Sequence, residues 1–432
     1  MKRDFLVEFI DLSFHVEFLK DSLSDLFPAW AQIITIEIGP SVRSKVSSSQ
    51  IITLPTHMEN ICVWTKYDWP YSTGINGGLC WLYLCSSKAS LPKICGSPGG
   101  PPVTSPRVRL GDGRHLAYKE RGLPKEEAKH KIIVVHAFGD SKGFKLPISD
   151  VRIFASTISI ARFPCFLEIL VAKMRLENKE LLKELEIYLV AFDRAGYGES
   201  DPNPKRSVKS DAFDIQELAD KLQLGPKFYA IGISLGAYPV YGCLKYIPHR
   251  LLGAALVVPV ANYWWRCFPA KLSKIGPSRL LPQNRWAFTV AHYAPWLLHW
   301  WLTQKWIPSL SNSEEAFSPS DVEILRHLDG PPNEEQGKVQ QQGAHESLHR
   351  DLMVSFGKWE FEPIDISNPF PNNEGFVHMW QGCEDKIFPF ELNRYIAERL
   401  PWIQYHEVAD AGHLLIYKAA HCEAIFRALV SS

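Results

Sequence analysis

The chain has 432 residues, 46% hydrophobic and 22% charged, a balance that excludes a disordered or fibrous protein and allows a large buried core. Its 47 Lys and Arg offset 47 Asp and Glu, so no net field draws nucleic acid or an anionic membrane, and no nucleic-acid partner is expected. Nine cysteines, odd in number and without a C-x-x-C pair, indicate neither a disulfide framework nor a zinc site.

At the start of the chain, Asp4, Glu8, Asp11 and Glu17 interrupt any apolar core of a signal peptide. The most apolar stretches, 33–38, 79–85 and 153–174, are too short to span a bilayer or carry Arg162, Pro164 and Glu168 inside them. No transmembrane helix is expected; a cytoplasmic location follows, with membrane association as the alternative. No obligate protein partner is evident. Residues 1–86 show no sustained period, and no fold is assigned to them; a gene-model artefact is one reading. Residues 87–105, "SKASLPKICGSPGGPPVTS", read as a Pro/Gly linker, and 106–432 as one α/β domain.

"RVRLGDGRHLAYKERG" alternates polar and apolar residues around Gly111–Asp112–Gly113, which predicts a β-hairpin. Ile132–Val135 and Ile187–Phe192 are almost purely apolar and suit strands covered on both faces. Between them "LENKELLKELE" places Leu176, Leu181, Leu182 and Leu185 on one helical side. "QELADKLQLG" predicts another helix, closed by Gly225, before a strand at Phe228–Ile233. Further strands are expected at Ala254–Val260, Phe376–Trp380 and Ile403–Val408. Alternation of strand and helix predicts an α/β fold whose central sheet is mostly parallel, with helices on both faces. Residues 261–375 hold helix signals and Tyr263, Trp264, Trp265, Trp286, Trp296, Trp300, Trp301 and Trp306, a helical cap whose tryptophans mostly pack against the sheet.

The strand at Phe228–Ile233 runs into Gly232–Ile233–Ser234–Leu235–Gly236. A strand that feeds directly into a helix must reverse sharply. Glycines two residues either side of the apex remove the Cβ clashes, and the apical side chain projects from the carboxyl edge of the sheet at a helix N-terminus. A hydroxyl there is placed to be a nucleophile, but it needs a general base and that base needs an orienting carboxylate. Asp385 follows the strand at Phe376–Trp380, and His413 follows the strand at Ile403–Val408, in the chain order serine, acid, histidine. The backbone N–H groups of Leu235 and Phe138, the latter in the loop "VVHAFGDSKG", are the expected oxyanion donors.

His136–Ala137–Phe138–Gly139, "DRAGYGES" at 193–200, Gly232–Gly236, Asp385 and Gly412–His413 together resemble the α/β-hydrolase superfamily. "PKICGSPGGPPV", the stretch from Asp193 to Gly225 and "NPFPNNEGFVHMWQG" resemble, more narrowly, a plant branch of it. The resemblance covers about residues 92–148 and 177–430. It implies the α/β-hydrolase fold with a helical cap, and a serine hydrolase acting on carboxylic esters or related acyl compounds through Ser234, His413 and Asp385. It implies a small apolar or amphipathic substrate and no metal or organic cofactor. The alternative is a non-catalytic ligand-binding or receptor protein on the same scaffold, which several plant hormone receptors resemble. Two features depart from the resemblance. Ala137 stands where relatives carry glycine, a strain if that position needs a positive φ. Residues 151–175 form an apolar insertion, either an extra helix over the site or translated non-coding sequence; the pattern offers no partner surface for such a helix and favours the second.

Overall fold

The inner apolar runs pair side by side into one sheet because they are too apolar to leave either face in water. The computed structural model describes residues 89–147, 181–304, 314–328 and 334–431. Its strands are β1 (Arg107–Arg109), β2 (His115–Gly122), β3 (His130–Val135), β4 (Ile187–Phe192), β5 (Phe228–Ile233), β6 (Leu251–Val257), β7 (Phe376–Gly382) and β8 (Ile403–Val408). They lie in the order β1-β2-β4-β3-β5-β6-β7-β8. β1 and β2 form the expected hairpin, β2 runs antiparallel to β4, and every later neighbour is parallel. This is the α/β-hydrolase fold.

Successive residues of the inner strands point to opposite faces, and both faces are buried. Ile133, Val135, Val190 and Phe192 pack with helices α1 (Val208–Lys221) and α2 (Ala237–Tyr246). Ile132, Val134, Leu189 and Ile231 pack with Leu181, Leu182 and the carboxyl-terminal helix, through Ile425, Phe426 and Leu429. Burial on two sides explains why these strands read as continuous apolar runs instead of alternating ones. Ser207 caps α1 reciprocally with Ser210, and Gly225 at φ +96° turns the chain from α1 toward β5.

Two expectations shift on inspection. β6 begins at Leu251, three residues before the expected Ala254, and ends three residues before the expected Val260, because Val258 takes φ +44° and turns the chain out of the sheet before Pro259. Residues 89–105 contain no helix or strand, yet they are bonded to the sheet unit. The Cys95 N–H donates to Gln342 Oε1 at 3.0 Å, and the Glu199 carboxylate accepts from the backbone and hydroxyls of Thr104 and Ser105. Residues 1–86 and 151–175 lie outside the described residues, as do Leu176 and Trp306. The described cysteines are free thiols. Among the described residues no helix is long and apolar enough to cross a membrane.

Between β6 and β7 the described residues are largely helical. α3 (Ala270–Arg279), α4 (Pro282–Tyr293), α5 (Pro295–Thr303), α6 (Pro319–Leu328) and α7 (Arg350–Phe356) follow in order. Trp265, Trp300 and Trp301 are buried, and Trp264 stacks on His292 at 4.5 Å, so these aromatics pack as expected, whereas Trp296 is exposed. Buried charge joins this layer to the sheet. Asp351 of α7 accepts from both terminal nitrogens of Arg194, which follows β4, and stands 3.3 Å from Nη2 of Arg206. Tyr197 and Tyr238 donate to the same carboxylate at 2.8 and 2.9 Å. Burial alone would raise the pKa of Asp351, but the two guanidinium charges outweigh it and hold the carboxyl below its ordinary value. Asp351→Ala leaves two buried guanidiniums short of a counter-charge and should cost about 3–5 kcal/mol in urea unfolding. A loss below about 1 kcal/mol would show that the cap is held mainly by its apolar contacts.

Candidate active site

Parallel strands deliver their carboxyl ends to one edge, and the singled-out residues all leave the sheet there. Ser234 follows β5, the loop bearing Phe138 follows β3 beside it, Asp385 follows β7 and His413 follows β8.

Ser234 sits at φ +54°, a left-handed conformation that a β-carbon makes costly, and its side chain is buried. The flanking glycines explain how the strain is tolerated. A Cβ on Gly232 would meet the carbonyl oxygen of Gly236 at 2.6 Å and the Cα of Ala237 at 2.7 Å. One on Gly236 would meet the carbonyl oxygen of His136 at 2.5 Å and drive into that of Val135. Both clashes are with backbone, so neither is relieved by turning a side chain.

Ser234 Oγ lies 2.8 Å from His413 Nε2, and His413 Nδ1 lies 2.8 Å from Asp385 Oδ2. Asp385 is fixed in turn: Oδ1 accepts the N–H groups of Ile387 and Phe388 at 2.8 and 2.9 Å, and Oδ2 accepts from Gln381 Nε2 at 3.1 Å. With Asp385 accepting at Nδ1, the imidazole carries its proton there and turns a lone pair toward the serine hydroxyl. Burial pulls the His413 pKa down, but the charge and hydrogen bond of Asp385, with Asp321 behind, overcome it and leave the pKa above the ordinary histidine value. Glu384, beside Asp385, points outward and accepts from Ser320 Oγ at 2.8 Å.

The loop after β3 is held through the carbonyl of Ala137. His136 Nε2 accepts the N–H of Arg194 at 3.1 Å, so the ring proton is on Nδ1 and donates to the Ala137 oxygen at 2.7 Å; Arg194 Nη2 adds a second donor at 3.2 Å. In a trans peptide the N–H of Phe138 points away from that oxygen. Among the described residues no acceptor takes the N–H of Phe138 or of Leu235. Ala137 is not among the residues with positive φ; the left-handed position is Gly139, at φ +71°. The methyl of Ala137 therefore introduces no backbone strain.

The sequence pattern did not single out Asp321. This fully buried carboxylate of α6 accepts the N–H groups of His413 and Leu414 at 2.9 and 2.7 Å, and the Ser318 hydroxyl at 2.9 Å. A Cβ on Gly412 would strike it, 2.5 Å from its Cγ. Cap and histidine loop are thus one bonded unit. An aspartate in the first turn of an amphipathic helix carries no signal that it will cap a loop some ninety positions away. Phe388 lies against the His413 ring at 5.6 Å, and behind it Tyr263 donates its hydroxyl to the carbonyl of Ile387. Among the described residues the group with metal-ligand spacing, His299, His345 and His349, belongs to the cap and not to this cluster.

Fold and site geometry define the class as α/β hydrolase. The chain belongs to the alpha/beta hydrolase family, whose model matches residues 164–428. It is similar in structure to an alpha/beta hydrolase fold protein from Chitinophaga pinensis, with 17% identity and a TM-score of 0.48, over 76% of this chain and 98% of that one. An esterase from Exiguobacterium antarcticum has 15% identity and a TM-score of 0.45 over 76% and 98%. A monoacylglycerol lipase from Paleococcus ferrophilus has 18% identity and a TM-score of 0.41 over 73% and 98%. No curated protein matches the sequence significantly. Gly236→Ala should force β3 and α2 apart and lower the melting temperature by roughly 1–2 °C for each kcal/mol it costs in a domain of this size; an unchanged melting curve would mean the elbow relaxes freely.

Proposed function

We propose that the protein is a serine hydrolase of carboxylic esters or related acyl compounds, of the plant branch that its motifs resemble. The observation that carries this reading is the continuous chain of contacts Ser234 Oγ, His413, Asp385, closed at 2.8 Å on both sides of the imidazole. Ser234 Oγ attacks the acyl carbon as His413 Nε2 takes its proton, and the oxyanion rests on the N–H groups of Phe138 and Leu235. Collapse of this intermediate expels the alcohol, which takes the proton back from His413 and leaves an acyl-serine. Water, deprotonated by His413, then releases the acid and restores the hydroxyl. Asp385 steadies the imidazolium in both halves and does not itself accept the proton. The ring of Phe388 against His413 and the aromatic cap support an apolar or amphipathic acyl substrate.

A fluorophosphonate probe should label the wild-type protein at Ser234 and leave Ser234→Ala unlabelled. A folded wild-type chain that resists the probe would overturn the reading and favour a non-catalytic binding protein on this scaffold. Asp385→Asn should lower kcat by about 10⁴-fold, while Glu384→Gln, at an exposed carboxylate, should change little; reversal of that order would reassign the acid. His413 must be neutral to act as base and its pKa is raised, so kcat/KM should climb with pH along a limb centred above 6.5. In Asp385→Asn the main charge opposing the burial of the ring is gone, with only Asp321 left, and the limb should move to lower pH. Ala137→Gly should leave kcat/KM within about twofold, since that backbone is unstrained; a gain approaching the 10²-fold worth of an oxyanion donor would contradict this.

A further inference from the structure

Three histidines of the cap meet although two are nearly fifty positions from the third. His299 lies on α5, while His345 and His349 flank one π-helical turn, in which the N–H of His349 reaches the carbonyl of Ala344 at 3.0 Å. One ring nitrogen of each histidine lies within 4.8 Å of the others. Nδ1 of His299 is 3.0 Å from Nδ1 of His349, and Nδ1 of His345 is buried without a hydrogen-bond partner. The ring centroids are 5.0, 5.1 and 6.0 Å apart, with planes inclined at 79°, 47° and 82°.

For imidazoles alone this arrangement is poor. The contact between the two Nδ1 atoms accommodates one shared proton, and the third Nδ1 has none to share, although buried polar atoms are seldom left unpaired. What brings the three rings together is that one nitrogen of each lies within 4.8 Å of the others. A tetrahedral ion can use that proximity. Nitrogens bonded at 2.0–2.1 Å to one zinc lie ~3.3 Å apart, and the centroids of their rings ~5.2 Å apart. The observed 3.0 Å between two of the nitrogens and the centroid separations of 5.0–6.0 Å lie near those values, and the spread of the three nitrogens, up to 4.8 Å, leaves the ion to draw the rings inward.

We propose that His299, His345 and His349 bind a divalent transition-metal ion, zinc above all, which staples α5 to the π-helical turn. An all-nitrogen set suits zinc, copper or nickel and excludes calcium and magnesium, which require oxygen ligands. Three protein ligands leave the fourth position to water. Two histidines four residues apart project from one side of their helix, and π-turns recur at functional sites. The Glu346 carboxylate stands 3.9 Å from His345 Nε2, on the ring edge opposite the orphaned Nδ1, where it can orient that ring. Arg350 would repel a cation, but it is tied to both oxygens of Glu346 at 2.8 and 2.9 Å. His349 precedes Asp351 by two residues, so the ion would brace the same segment whose carboxylate is buried against Arg194 and Arg206.

The test uses the full chain, stripped with a chelator, loaded with Zn²⁺ or Co²⁺ and desalted. The wild type should retain one equivalent, show the visible absorption of tetrahedral Co²⁺ with no thiolate charge-transfer band, and melt several degrees higher with zinc than without. His299→Gln and His345→Gln should each lose the retained ion, the absorption and the zinc-dependent rise, while melting without metal near the wild-type value. A wild type that retains no ion overturns the proposal. So do variants that retain as much as the wild type, or a Co²⁺ spectrum dominated by sulfur ligation, which would move the ion to cysteines. Should one variant fail to fold, the other and the ligand signature of the wild-type spectrum still decide the matter.

Discussion

The approach of Gly236 to the carbonyl oxygens of Val135 and His136 is the contact on which the site depends. It lets α2 begin directly against the end of β3, so that Ser234 is carried at the tip of a turn with no slack. The same closeness brings the loop after β3 alongside the serine, and with it the N–H of Phe138. The sheet being parallel from β4 onward, the loops bearing Asp385 and His413 emerge at that edge as well. One steric condition, the missing Cβ, thus governs a geometry assembled from four separate strands.

Two buried aspartates of the cap extend this order outward. Asp351 is a charge in an apolar layer, tolerable only because Arg194 and Arg206 neutralise it and two tyrosines fill its remaining lone pairs. Arg194 also donates to the Ala137 carbonyl, so the ion pair that anchors the cap helps to aim the loop after β3. Asp321 holds the backbone on either side of the His413 peptide, and Gly412 is small because that carboxylate lies where its side chain would be. The cap is therefore part of the framework that positions the histidine.

Much of this was legible in the residues. Burial on both faces leaves a nearly pure apolar strand, so β3, β4 and β5 are legible almost to the residue; β8, a half-exposed strand at the sheet edge, is legible from its alternation, whereas β6 differs at both ends. Its apolar run continues through Val258, Pro259 and Val260, but a positive φ at Val258 takes the chain out of the sheet, and hydropathy contains no information about φ. The serine, histidine and aspartate were legible because glycine spacing and chain order reflect a steric requirement that acts over a few residues. The departure at Ala137 looked weighty on residue type alone; the left-handed position proved to be its neighbour but one, Gly139.

What the sequence determined by itself is whatever rests on local sterics and on hydropathic period: the strand and helix alternation, the hairpin, the elbow and the order of the three polar residues. What the tertiary structure alone decided is every pairing between distant charges and rings. Asp321 with the His413 loop, Asp351 with Arg194 and Arg206, and His299 with His345 and His349 each join residues whose neighbours in the chain are unremarkable. A buried ionisable group must find its partner in space, and the identity of that partner depends on which loops the sheet brings together, a property of register and packing that no window along the chain contains.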